Sequence, residues 1–293
     1  MKRPIPLFSR ILIELNSNCN RDCFFCNRTF DTSGKRLVDG KRVLKKMPTE
    51  HVLRIMDEAV ALGFRGKIAF HHMSESFLDE RIIKMAWEAR KRGLIPYEHT
   101  NGDVLRKNLK LCRQAAEVFD YITVGLYDYK NEDELKAEKA YWKVALKGTK
   151  VKFSLSGEVY PRGLTPFDDR MFREKKDYVN APCTRPFLRL IVHYDGNVAL
   201  CCEDMTDMFD LGNAFNQSIE DIWYSEKHVQ ILKDLEQGKR EKYAACKKCP
   251  MPPVLHDDPS WKEPSTTFKS KIKGEYERFK SKQKAKSILS KDF

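Results

Sequence analysis

Along the first 155 residues, two hydrophobic periods alternate. Short apolar runs predict buried strands at residues 10–15, 67–70, 94–99, 121–126 and 151–155. Between them, apolar positions recur at helical spacing. Pro48 and Thr49 open one such stretch, with Val52, Met56, Ala59 and Val60 on one face and Gly63 ending it. A second, over residues 78–92, turns Ile82, Met85, Ala86 and Ala89 inward and closes at Gly93. Residues 103–116 and 131–146 complete the set. Five strands and four helices in strict alternation predict a parallel sheet with helices outside, an α/β barrel or part of one. Each strand-to-helix connection then emerges at the same end of the sheet, where active sites gather.

The pattern changes after residue 156. Residues 157–182 are rich in proline, glycine and charge and predict a linker or active-site loop. Apolar runs at 187–194 and 198–201 flank Asp195-Gly196, a hairpin signal. Ser218 is a good N-cap for a helix running to about Glu236, with Gly238 just beyond. Several prolines at 250–260 form a connector, and Ile272, Tyr276 and Phe279 place a helical stripe on the tail. The expected division is a core over 1–156, a linker over 157–182, a small module over 183–250, and a connector with a basic helix over 251–293.

Composition refines this picture. At 293 residues and 41% hydrophobic, the chain can bury one large core with a small appended module. The net charge is +12, and residues 262–293 hold ten Lys/Arg against four acids, half of that excess. Such a tail attracts nucleic acid, anionic lipid or an acidic partner; a solvated helix face is the simpler account. No apolar run approaches the ~18 residues of a membrane span, and residues 1–10 lack a signal-peptide core, so a cytoplasmic protein is expected. Nine cysteines in that compartment point to metal rather than disulfides.

Seven of the nine fall into two clusters. Cys19-x3-Cys23-x2-Cys26 directly follows the first predicted strand. Three thiolates on one loop can hold three irons of a [4Fe–4S] cluster and leave the fourth iron open. Zinc is the alternative, but it wants four ligands, usually in paired spacings. Phe25 would shield such a cluster from solvent. The second group is Cys183-x17-Cys201-x44-Cys246-x2-Cys249, enough to close a second [4Fe–4S] site or a structural zinc site. Cys202 adjoins Cys201 and leaves that ligand open between the two. Cys112 keeps helical spacing with Leu105, Leu109 and Ala116, which is core packing.

The C-x3-C-x2-C loop after strand one resembles the radical S-adenosylmethionine (SAM) superfamily. Phe70-His71-His72-Met73-Ser74-Glu75 stands where that family usually has Gly-Gly-Glu-Pro, and Thr100-Asn101-Gly102 resembles another family segment. The second cysteine group, with Gly196 five residues before Cys201, resembles the twitch module, a shortened SPASM domain. The resemblance covers about residues 10–250 and is nearest to a cyclitol dehydrogenase of the superfamily. It implies a partial (β/α) barrel of the radical SAM type, with Cys19, Cys23 and Cys26 holding the SAM-binding [4Fe–4S] cluster. It also implies Glu75 on the SAM amino group, and Cys183, Cys201, Cys246 and Cys249 on an auxiliary [4Fe–4S] cluster. The activity implied is a 5′-deoxyadenosyl radical that abstracts hydrogen from an unactivated C–H. Three outcomes stay open. They are oxidation of a secondary alcohol with the auxiliary cluster as electron acceptor, epimerisation with Cys202 as thiol hydrogen donor, and peptide modification. The expected substrate is a small molecule, anionic or sugar-like, and the expected reductant a flavodoxin or ferredoxin. A nucleic-acid-binding module built on two zinc sites is the non-enzymatic alternative; the β/α alternation and the open three-cysteine loop argue against it. His71, His72, Arg162, Arg185, Arg189, Tyr127, Asp128 and Tyr129 are further pocket candidates. No general base is assigned.

Overall fold

The computed structural model describes residues 3–23, 25–30, 37–38, 41–42, 44–155, 178–247 and 249. Arg162, most of the expected linker and the expected basic tail helix lie outside the described residues. The strands are β1 (Arg10–Ile13), β2 (Leu37–Val38), β3 (Lys41–Arg42), β4 (Lys67–Ala69), β5 (Ile95–Pro96), β6 (Glu98–Thr100), β7 (Tyr121–Leu126), β8 (Lys150–Leu155), β9 (Arg189–Val192) and β10 (Val198–Ala199). The helices are α1 (Thr49–Ala61), α2 (Ile82–Lys91), α3 (Asp103–Arg106), α4 (Leu109–Val118), α5 (Glu132–Ala145), α6 (Ile219–Trp223), α7 (Glu226–Glu236) and α8 (Ala244–Lys247). Among the described residues no helix is long and apolar enough to cross a membrane.

The expected parallel α/β architecture is present. β1 pairs parallel with β4, and β4 with β5. The chain then passes Tyr97, and β6, β7 and β8 continue in parallel pairing. The single strand expected at 94–99 is therefore two short ones in two sheets, and the wall of the barrel bends at Tyr97. The helices expected at 103–116 and 218–236 are also interrupted. Asn108 accepts from Leu111 N and restarts a helix as α4, and Ser225 does the same for α7 through His228 N.

Side-chain period fixes which face is which. Ile11, Ile13, Ile68, Ile122 and Val124 point outward into the main core with Val52, Ile55, Met56, Met85, Ala86 and Ala115 from the helices. Each large side chain so buried contributes about 1.5–3 kcal/mol. The alternate residues Leu12, Ala69, Tyr97, Tyr121, Ile191 and Ala199 form a separate inner cluster. Cys112 is fully buried and its thiol donates to Leu105 O, as its spacing predicts.

The module after residue 183 continues the barrel sheet. β9 pairs parallel with the free edge of β1, from Arg10↔Arg189 to Ile13↔Val192, and β10 closes antiparallel on β9. The Asp195-Gly196 turn joins them; Gly196 has φ +86°, and a Cβ there would meet Asn213 Oδ1 at 2.5 Å. α6 pins the module to the barrel. Trp223 donates to Pro6 O at 3.0 Å and meets Phe8 edge-on at 5.0 Å, and Ile219 N donates to Glu58 at 2.8 Å.

Candidate functional site

The first cysteine loop is tied at both ends to the C-terminal ends of neighbouring strands. Asn16 donates to Glu75 O, and Glu75 N donates back to Asn18 O at 2.8 Å. Asn18 caps Cys19 N at 2.8 Å. Asn20 and Arg21 both bond Asp103 beyond β6, and Arg21 also reaches Asp128 at 2.6 Å. Thr29 folds back onto Cys23 O at 2.9 Å. Asn101 donates to Cys19 Sγ at 3.7 Å. These contacts hold Cys19, Cys23 and Cys26 on one wall of a cavity of about 500 Å³.

Glu75 lines the same cavity. It is 2% exposed, and its carboxylate accepts from Thr100 Oγ1 at 2.8 Å, Asn101 N at 2.8 Å and Phe77 N at 3.2 Å. Burial outweighs these donors and pushes its pKa up to about 7. Met73 and Ser74 precede Glu75, and two of its three donors come from the Thr100-Asn101 segment. Gly102 makes that segment possible. Its φ is +82°, and a Cβ there would lie 2.6 Å from the buried Trp142 ring.

The thiols suit iron. Burial pushes Cys23 up to about 12, with Cys26 and Cys19 adding to the effect, and it also raises Cys19. Desolvated thiols crowded together ionise only when a cation offsets their charge, which is the chemistry of a cluster ligand set. The second group shows the same feature. Cys201 is raised well above a normal thiol by burial and by Cys202, Cys249 and Cys183 around it. Cys246 is pushed up to about 12 by burial, then by Cys183 and Cys249. Thus Cys183, Cys201, Cys246 and Cys249 could hold a four-thiolate cluster. Cys183 N is bonded to Leu235 O, and the buried Arg240 fixes the preceding segment through Ala181 O and Pro182 O. α8 and the turn Cys249 N→Cys246 O carry the last two thiols.

Cys201 and Cys202 part company. Cys201 sits among the other module thiols, whereas Cys202 lines the cavity together with the first cysteine loop. Phe25 also lines it and packs edge-on to Tyr127 at 4.6 Å. His71, His72, Tyr127, Arg185 and Arg189 line it as well. Asp128 instead pairs with Arg21, and Tyr129 borders a second hollow of about 180 Å³.

Several cavity groups escaped the sequence. Arg10, Tyr121 and Lys152 line the cavity from strands, and Tyr97 from the residue between β5 and β6. On the strands the one signal is a lone charge or phenol at an inward register position. His193 and Asp207 form a chain with His72: His72 Nδ1 lies 2.9 Å from His193 Nε2, and His193 Nδ1 lies 2.7 Å from Asp207. No local signal links residues 121 positions apart.

A model of the SPASM family, described as an iron–sulfur cluster-binding domain, matches residues 183–250. The S-adenosyl-L-methionine-dependent 2-deoxy-scyllo-inosamine dehydrogenase of Niallia circulans is 27% identical over 251 residues, covering 83% of this chain and 93% of that protein. The crystal structure of BtrN in complex with AdoMet and 2-DOIA superposes with a TM-score of 0.67 at 26% identity, over 84% of this chain and 94% of that one. Native anSMEcpe with bound AdoMet shares the fold, with a TM-score of 0.57 at 14% identity over 84% of this chain and 88% of that one.

Proposed function

We propose that this chain, a radical SAM enzyme with an auxiliary iron–sulfur domain, oxidises a secondary alcohol of a small cyclitol- or sugar-like substrate to the ketone. The observation that carries this reading is one cavity lined both by Cys19, Cys23 and Cys26 and by Cys202, which adjoins the second thiol group. We assign Cys19, Cys23 and Cys26 to the SAM-binding [4Fe–4S] cluster, and Cys183, Cys201, Cys246 and Cys249 to the auxiliary one. Glu75 is assigned to the SAM amino group. When bound, SAM and its cluster supply the radical chemistry that removes a hydrogen atom from an unactivated C–H, and the auxiliary cluster supplies a one-electron acceptor.

The chain's own residues must then deal with a proton. Converting a carbinol to a ketone removes one hydrogen atom from carbon, one proton from oxygen and one electron. His72 is the group we assign to the proton. With Asp207 ionised, its carboxylate accepts from His193 Nδ1–H. His193 Nε2 then accepts from His72 Nδ1–H, which makes Nε2 of His72 the basic nitrogen. Asn197 donates to Asp207 at 2.9 Å and holds the chain's far end. Phe25 and Tyr127 close one wall and limit water.

Cys202 in the cavity supports a second reading, epimerisation by hydrogen return from its thiol. The unit division at 156, 182 and 250 is kept as a functional division, although the 183–250 module shares the barrel sheet. An acidic flavodoxin or ferredoxin suits the net charge of +12 as reductant. Nine free thiols suit a reducing, cytoplasmic compartment.

The test is anaerobic reconstitution followed by iron and sulfide analysis and product identification. Two clusters per chain, with one 5′-deoxyadenosine formed per ketone, are the expected result. Deuterium entering the product carbon from heavy water, abolished in Cys202→Ala, would replace oxidation by epimerisation.

A further inference from the structure

His71 and His72 follow β4 side by side, and both line the cavity. His72 is engaged by His193, which Asp207 supports in turn. His71 has a support of its own. Its Nδ1 meets Oε1 of Glu98, the first residue of β6. Glu98 is fully buried and is not on the cavity wall. Two backbone donors already sit on this carboxylate, His99 N on Oε1 at 2.9 Å and Phe70 N on Oε2 at 3.0 Å. Among the described residues His71 is the one side chain bonded to it. A carboxylate so placed meets His71 as an acceptor, which puts the imidazole proton on Nδ1 and leaves Nε2 its lone pair.

The ring is fixed in plane as well as in tautomer. It lies edge-on to Tyr97, with 6.1 Å between ring centres, and to His99, with 5.8 Å. Both of those rings line the same cavity. The Nδ1 side of His71 is taken up by buried Glu98, so the 17% of the side chain that stays exposed belongs to the opposite, Nε2 side. No described residue bonds Nε2. An oriented acceptor on a cavity wall, backed by a buried carboxylate, is built to receive an O–H or N–H from a ligand.

We propose that His71 Nε2 accepts a hydrogen bond from a second donor on the substrate ring, a hydroxyl or an ammonium, while the carbinol lies at His72. This rests on the dehydrogenase reading above and narrows its substrate to rings that carry this second donor. His71 is then a recognition residue, and Glu98 a positioning residue that acts through it. Such a site rejects a ring without the donor, because Nε2 would lose its water and gain nothing in return.

Substrate-dependent 5′-deoxyadenosine release by the reconstituted holoenzyme tests this, with 2-deoxy-scyllo-inosamine and scyllo-inositol as probes. His71→Leu occupies similar space without an acceptor. Both oxygens of Glu98 keep a backbone donor in that variant, so the fold should hold, and iron content checks it. KM is expected to rise about tenfold or more at nearly constant kcat. His71→Gln, whose amide oxygen can stand in for Nε2, should recover most of the loss. A penalty on scyllo-inositol identifies a hydroxyl as the donor, and one confined to the amine identifies its ammonium. An unchanged KM in His71→Leu, whether or not kcat falls, overturns the proposal and leaves the dehydrogenase reading standing. Equal losses in the Leu and Gln variants do the same, since they mark packing rather than an acceptor. Wild-type release that neither probe stimulates would sink the underlying reading instead.

Discussion

Glu75→Gln isolates the one assigned SAM contact that the structure describes in full. The wild-type carboxylate accepts from Thr100 and Phe77 on Oε1 and from Asn101 N on Oε2, in a site 2% exposed. Glutamine keeps the shape. Its carbonyl can serve Thr100 and Phe77, but its amide then faces Asn101 N–H, donor against donor. One broken hydrogen bond in a buried site costs about 1–3 kcal/mol, a drop of a few degrees in melting temperature for a chain of this size. Alanine would strand all three donors and is the poorer choice. For SAM, the substitution removes a charge-assisted bond to an ammonium, worth about 1.5–3 kcal/mol, so Kd should rise about 10- to 100-fold. Calorimetric SAM titration of the anaerobically reconstituted protein measures this. The titration is best run at pH 8, above the value of about 7 to which burial pushes Glu75. Iron content should be unchanged, because Cys19, Cys23 and Cys26 are untouched. A SAM Kd within twofold of wild type, with full iron, would refute the assignment of Glu75 to the ligand.

Asp207→Asn should lower kcat about 100-fold or more with little change in KM, because His193 loses the partner that fixes its tautomer while the hydrogen bond survives. Asn tolerates the left-handed backbone of Asp207 (φ 57°), so iron content should hold; unchanged kcat would dismiss the relay. Gly102→Ala should destabilise by about 2–4 kcal/mol, from the φ of +82° and the Cβ clash with Trp142, and should weaken SAM binding through Asn101; denaturant titration and calorimetry read the two effects. His228, buried with Nδ1–H on Trp223 O, has its pKa lowered to about 4 by burial. The unfolded chain therefore binds this proton first, and stability should fall as pH drops from about 6.5 towards 4, by at most about 3 kcal/mol. Melting curves across that window should flatten in His228→Gln; an unchanged slope would remove His228 as the cause.

Much of this protein was legible locally. Strand–helix alternation follows from which residues repeat at two and at 3.6, and the C-x3-C-x2-C loop stands directly after the first strand, where the sequence places it. Cys112 and the Asp195-Gly196 turn also behave as their neighbours in sequence dictate. Breaks inside elements were less visible. Asn108 and Ser225 sit within helical periodicity, yet each side chain caps a new helix there. Tertiary structure alone decided that β9 would take the free edge of β1. That pairing sets Arg189 beside Arg10 and brings His193 to His72. It also turns Cys202 to the cavity while Cys201 stays with the other thiols. The reason is physical: periodicity records the face a residue occupies on its own element, whereas a site assembled across 121 residues depends on which strand edges meet, and edge pairing is made by backbone hydrogen bonds common to every sequence.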